Sequence, residues 1–215
     1  MKQLHFTDSK RLPRLCAVAL CAVLVCGLGV SAYAYMAPVS YVSMDVNPSI
    51  EYTLNRFDRV LSVQAVNEDG ARVLQETENL KNKPIDEVIR LTLTEIAKEG
   101  YFDNSAAGGV VIATSGKEST SMETLAAHLQ EVAAAQCAEN NHTVSVEALS
   151  VNPQQRDEAK ALGVSAGKLV LVQNMQAENP DAATIITEEW LQKSVREIMA
   201  EAERLDDLND AAEDA

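Results

Sequence analysis

Residues 15–39 read LCAVALCAVLVCGLGVSAYAYMAPV, 25 positions without a charged side chain. A run of that kind leaves few options. As a helix it is about 37 Å long, against a bilayer hydrocarbon core of about 30 Å. In lipid a single segment must satisfy its own backbone, so a helix is the expected form. Lys2, Lys10, Arg11 and Arg14 precede it against Asp8 alone. That bias predicts an inside N-terminus and a main domain outside the cytoplasm. Tyr33, Tyr35 and Tyr41 fall where an interfacial aromatic belt would sit. The alternative is a cleaved signal peptide, for which Ala32-x-Ala34 offers a site. The length of the run favours the anchor. The expected division is a short cytoplasmic stub at 1–14 and a transmembrane helix at 15–39. One extracytoplasmic domain at 40–205 and an acidic flexible tail at 206–215 follow.

Charge narrows the partners. The chain holds 18 basic and 32 acidic residues, a net charge of −14. The basic start accounts for four of the cations, so the outer part is more acidic still. Such a surface repels nucleic acid, and no basic stripe offsets it. Three of four cysteines, Cys16, Cys21 and Cys26, lie in the apolar run. Cys137 has no partner in its own domain and reads as a small core residue on a helix.

Beyond the apolar run the pattern is α/β. Residues 40–46 and 49–55 read as strands broken at Pro48, the second with Ile50, Tyr52 and Leu54 on one face. NRFDR at 55–59 is a turn, and 59–67 returns as a strand closed by the turn residues NEDG at 67–70. These make a short antiparallel meander, and helices interleave with strands after it. Asn82 and Pro84 announce a helix with Ile85, Val88, Ile89 and Ile96 buried, stopped at Gly100. GGVVIATSG at 108–116 has the unbroken apolar character of an interior strand. Thr120 and Glu123 fit a capping box for a helix carrying Met122, Leu125, Ala126, Leu129, Val132 and Ala133. A strand at 143–149 and a helix near 154–162 follow. KLVLVQNM at 168–175 fits strand and helix equally well. Leu191, Val195, Ile198, Met199, Ala202 and Leu205 mark a last helix, with a frayed acidic end after it.

Motifs for turnover chemistry are weak. GVSAG at 163–167 matches the serine-hydrolase elbow, which needs a strand before it and a helix after it. A helical stretch precedes it here, and His128 and His142 are the sole histidines after the apolar run that could serve a triad. A glycine-framed turn between two helices is the simpler reading. No metal-ligand spacing or phosphate loop occurs, so no cofactor or metal is expected. Asn141 opens a formal glycosylation sequon.

The Asn47–Pro48 bond offers a different chemistry. Proline lacks the N–H that normally attacks an asparagine side chain. The reverse attack stays open: the Asn47 side-chain nitrogen on its own carbonyl, expelling Pro48. The amide is a poor nucleophile, so the fold must hold it in place and stabilise the oxyanion. Asp45, Ser49 and Glu51 are near enough in sequence to help. Asn152–Pro153 and Asn179–Pro180 share the dipeptide, and for them turn or cap roles suffice.

The string DVNPSIE…NRF…RV…A.NEDG, within 42–70, resembles the start of the extracytoplasmic middle domain of RsgI-type anti-sigma factors. NLKNKPIDEVI (79–89), EAKALGVSAGKLVLVQ (158–173) and SVREI (194–198) extend the resemblance to about residue 205. It implies an α/β fold and self-cleavage at Asn47–Pro48, with Asn47 as nucleophile and Pro48 as leaving group. It also implies pieces that stay associated by strand pairing, and signalling through an intramembrane protease and sigma-pathway proteins. Two features depart from the family. Asp58 stands where Gly is usual, in a turn whose left-handed backbone Asp tolerates. The roughly 14 residues before the apolar run are too few for a folded sigma-binding domain. The alternative function is a non-cleaving scaffold or binding domain, anchored or secreted.

Overall fold

A computed structural model describes residues 11–102, 108–178 and 187–213. The chain forms two compact units, residues 1–37 and 38–215. The first unit contains α1 (Arg11–Met36), 26 residues of helix. Its window Ala19–Met36 is long and apolar enough to cross a membrane, and none of that window is buried. Leu28, Val30 and Tyr33 are all more than two-thirds exposed.

The second unit is a three-layer α/β/α domain. β1 (Ser40–Asp45), β2 (Ser49–Leu54) and β3 (Val60–Ala65) form the expected meander. α2 (Glu68–Glu76) and α3 (Ile85–Lys98) lead to β4 (Gly108–Gly116). The crossover helix α4 (Ser119–Glu139) then returns the chain to β5 (Val144–Val151), parallel to β4. α5 (Pro153–Leu162), α6 (Ala166–Glu178), α7 (Thr187–Trp190) and α8 (Val195–Glu213) complete the unit. The sheet order is β3-β2-β1-β4-β5, so β1 is central and hydrogen-bonded along both edges.

Alternation splits the core across the sheet. Val42, Met44, Ile50, Tyr52, Val110 and Ile112 face α3 and α4. Val111 and Ala113 face the opposite layer of α5, α6 and α8. The apolar β4 is thus buried on both faces, as its composition predicts. Tyr52 has no exposed surface, and its hydroxyl donates to Thr92 Oγ1 at 3.0 Å, which satisfies the buried phenol. Cys137 is buried on α4 as expected, and burial pushes its thiol up to about 11. The β2–β3 turn closes on Asn55, whose Oδ1 accepts from the backbone of Phe57 and Arg59. Asp58 there has φ 52, the left-handed conformation the sequence anticipates.

Several elements differ from the sequence reading. NEDG does not merely close a strand. Asn67 caps α2, with Oδ1 accepting from Gly70 N at 2.8 Å, and Glu68 and Asp69 occupy the favourable first turn. The capping box at Thr120 and Glu123 does not form, because α4 starts earlier. Its N-cap is Glu118, and Glu123 instead accepts from Ser119 Oγ at 2.9 Å. KLVLVQNM is helical. Leu169, Val170, Leu171 and Val172 are all buried between the sheet and neighbouring helices. A helix covered all round shows no clean period. Capping boxes do form at Asn152 and Gln155 of α5, with Pro153 in the first turn, and at Ser194 and Glu197, where α8 begins. Residues after Asp206 continue as helix to Glu213. The Asn179–Pro180 pair lies outside the described residues.

Candidate functional site: the Asn-Pro hairpin

β1 and β2 are joined by Val46, Asn47 and Pro48. The ladder ends at Asp45 opposite Ser49, so three residues must reverse the chain. Val46 N donates to Pro48 O at 2.9 Å. Asn47 makes the reversal possible by adopting φ 77. Among non-glycine residues, asparagine tolerates that left-handed conformation best. Pro48 is buried and Asn47 half-buried.

The start of α2 sits directly on this loop. Asn67 Oδ1 accepts from Ser49 N at 3.0 Å as well as from Gly70 N. Its Nδ2 donates to Asn47 Oδ1 at 3.5 Å. Ser49 O accepts from Val66 N at 2.9 Å. A Cβ on Gly70 would lie 2.3 Å from that same Ser49 oxygen, so the close approach demands glycine.

Asp45 lies at the other side of the loop, on the sheet face covered by α6. It has no exposed surface. Its Oδ2 accepts from Ser43 Oγ at 3.4 Å, while Oδ1 has no hydrogen-bond partner. Burial pushes the Asp45 carboxyl up to about 6; the hydroxyls of Ser165, Ser49 and Ser43 and the charge of Lys168 oppose that rise. Ser165 stands just before α6 and accepts from Lys168 N at 3.2 Å. The next turn is glycine because a Cβ on Gly167 would lie 3.0 Å from Asp45 Oδ2 and from Val111 Cγ1. Lys168 itself donates to Lys193 O at 2.8 Å, tying α6 to the loop before α8. Burial lowers its pKa, with Asp45 and Glu197 acting against that.

Of the three candidate helpers, Asp45 and Ser49 therefore flank the Asn-Pro loop as a cross-strand pair. Glu51 is engaged elsewhere. Its carboxylate takes a bidentate pair from Arg156 of α5, at 2.7 and 3.1 Å, and the guanidinium lies 3.4 Å from the Tyr41 ring centroid. GVSAG is a turn between two helices, as its context predicts: Gly163 ends α5 at φ 71 and Ser165 caps α6. His128 and His142 are elsewhere. His128 pairs with Asp86 at 2.8 Å, and His142 stacks near Phe102 with ring centroids 5.1 Å apart.

Sequence reasoning passed over Asn67, Gly70, Ser165 and Lys168. For Asn67 a signal existed, since Asn followed by two acidic residues is a helix start. For Ser165 and Lys168 none did. More than a hundred residues separate them from Asp45.

The unit is a three-layer α/β/α domain whose buried central strand runs into an asparagine-proline hairpin. The chain belongs to the anti-sigma factor RsgI-like central domain family, whose model matches residues 39–174. It is 27% identical over 192 residues to anti-sigma-I factor RsgI7 of Acetivibrio thermocellus, covering 89% of this chain and 35% of that protein. Similarity to anti-sigma-I factor RsgI of Bacillus subtilis is 27% over 142 residues, 65% of this chain and 34% of the relative. Against the Bacillus anthracis protein of that name it is 40% over 65 residues, 30% of this chain and 15% of the relative. The chain thus spans about a third, or less, of the length of these curated relatives.

Proposed function

We propose that this chain is a membrane-anchored, extracytoplasmic signalling domain that cuts itself at Asn47–Pro48 and acts in a sigma-factor pathway. The observation that carries the reading is the Asn47 backbone at φ 77 in a three-residue loop held against the start of α2. Asn47 Nδ2 forms a bond to the Asn47 carbonyl carbon, and the bond from that carbon to Pro48 N breaks. A proton passes from Nδ2 to the proline nitrogen. The products are a C-terminal succinimide and a free N-terminal Pro48, with no water consumed. Asp45 and Ser49, paired across the loop, are our candidates for relaying the proton.

β1 explains why such a cut need not separate the pieces. It is the sole covalent route from α1 to the rest of the domain, yet it pairs over six residues with β2 and over six with β4. Val42 and Met44 have no exposed surface. Burying two such side chains contributes about 3–6 kcal/mol to retention. The cut domain is then a severed but seated strand, whose withdrawal leaves a short tail on the anchor for an intramembrane protease. The exposed apolar α1 supports the membrane span, and the cations before it support a cytoplasmic N-terminus. Control of a sigma factor rests on the family and on the names of the relatives.

The test is a denaturing gel and intact mass of the full chain from membranes, beside Asn47→Ala and Asn47→Gly. Glycine suits the left-handed backbone and removes the nucleophile without strain. Two wild-type fragments whose masses sum to the uncut chain, absent from both variants, is the expected result. A whole wild-type chain would favour the non-cleaving binding domain. A new N-terminus at Tyr35 instead of Pro48 would mean signal-peptide removal.

A further inference from the structure

We propose that Asn67 is a positioning residue for this reaction, holding the Asn47 amide by its oxygen so that Nδ2 is left to attack. The inference rests on the self-cleavage reading and assigns its geometry to a specific side chain. The obstacle in an asparagine attack is orientation. The side-chain amide turns about a broad, roughly two-fold torsion, so an unrestrained Asn47 presents oxygen as readily as nitrogen. A donor fixed on Oδ1 selects one orientation. It also eases loss of a proton from Nδ2, because the charge left behind lies largely on that oxygen.

Asn67 is such a donor because its own orientation is not free. Oδ1 accepts two backbone N–H groups at once, Ser49 at 3.0 Å and Gly70 at 2.8 Å. Turning the amide over would set its NH2 against both donors. Nδ2 is therefore held toward Asn47, where it meets Oδ1 at 3.5 Å, the longest of the three contacts. Ser49 directly follows the leaving group, so the same carboxamide grips the nucleophile's side chain and the backbone just past the scissile bond. Gly70 lets the helix start come this close.

The experiment separates this role from ordinary helix capping. Asn67→Asp and Asn67→Ser both keep a strong N-cap but lack the amide donor. They are made in the full chain, and both cutting rate and thermal midpoint are read. The expected result is a midpoint near wild type with cutting slowed on the order of tenfold, the worth of one hydrogen bond. Asn67→Ala should lower both. Relative to wild type, Asn67→Asp should regain rate at the acid end of the pH range, where its carboxylic acid can donate, and Asn67→Ser should not. Folded Asp and Ser variants that cut at the wild-type rate would overturn the inference while leaving self-cleavage intact. A wild-type chain that never cuts removes both.

Discussion

The buried carboxyl of Asp45 gives the molecule a pH dependence that a single substitution should erase. Its folded pKa of about 6 stands above the ordinary aspartate value of 3.8. An acid whose pKa is raised by folding binds its proton more tightly in the native state. The stability this contributes is present below the unfolded value, near 4, and is lost as pH rises through the folded value. A shift of about two units corresponds to about 3 kcal/mol. Asparagine at position 45 keeps the size and removes the charge, so its stability should not fall across that window. In a domain of this size about 3 kcal/mol is about 6–12 °C in Tm. The assay is thermal unfolding by circular dichroism of the full chain in detergent, from about pH 4 to about pH 7. Both proteins carry Asn47→Gly so that neither is cut. Every other carboxylate titrates alike in the two, so the difference between the curves isolates Asp45. The gap Tm(Asp45→Asn) minus Tm(Asp45) should widen with pH through the window. Parallel curves would refute the argument, and so would a gap that narrows.

Three further outcomes follow from the packing. Gly70→Ala forces a Cβ to within 2.3 Å of Ser49 O, and the displaced α2 should cost about 2–3 kcal/mol in chemical denaturation and slow cutting with it. Arg156→Leu strips Glu51 of its bidentate partner and Tyr41 of its cation, both largely buried, and should cost about 2 kcal/mol in urea unfolding. Tyr52→Phe removes one buried donor but leaves Thr92 bonded to Val88 O, so a loss of about 1 kcal/mol with unchanged cutting is expected.

Much of the architecture was legible because it is written in local patterns. Ile50, Tyr52 and Leu54 alternate and are wholly buried. The α3 stripe of Ile85, Val88, Ile89 and Ile96 is likewise buried at helical spacing. Asp58 announced its left-handed turn. The failures have equally physical causes. α6 lost its period because the sheet and the neighbouring helices bury every residue of its first half, from Ala166 to Val172. α2 hid behind NEDG because one Asn-acidic-acidic-Gly string suits a turn and a helix start alike, and what lies above it decides. Thr120 and Glu123 had capping-box spacing, but the helix is capped two residues earlier, at Glu118, and does not use them.

The sequence by itself determined the long apolar helix, the meander, and an asparagine-proline pair at the break between its first two strands. Each of these depends on residues adjacent in the chain, where periodicity and turn chemistry act. The tertiary structure alone decided which groups surround that pair. It brought Asn67 and Gly70 onto the loop from one side. It brought Ser165 and Lys168 onto Asp45 from the other, and it drew Glu51 away to Arg156. A hydrogen bond or a desolvated charge depends on distance in space. No spacing along the chain encodes a contact made across a hundred residues and a folded sheet.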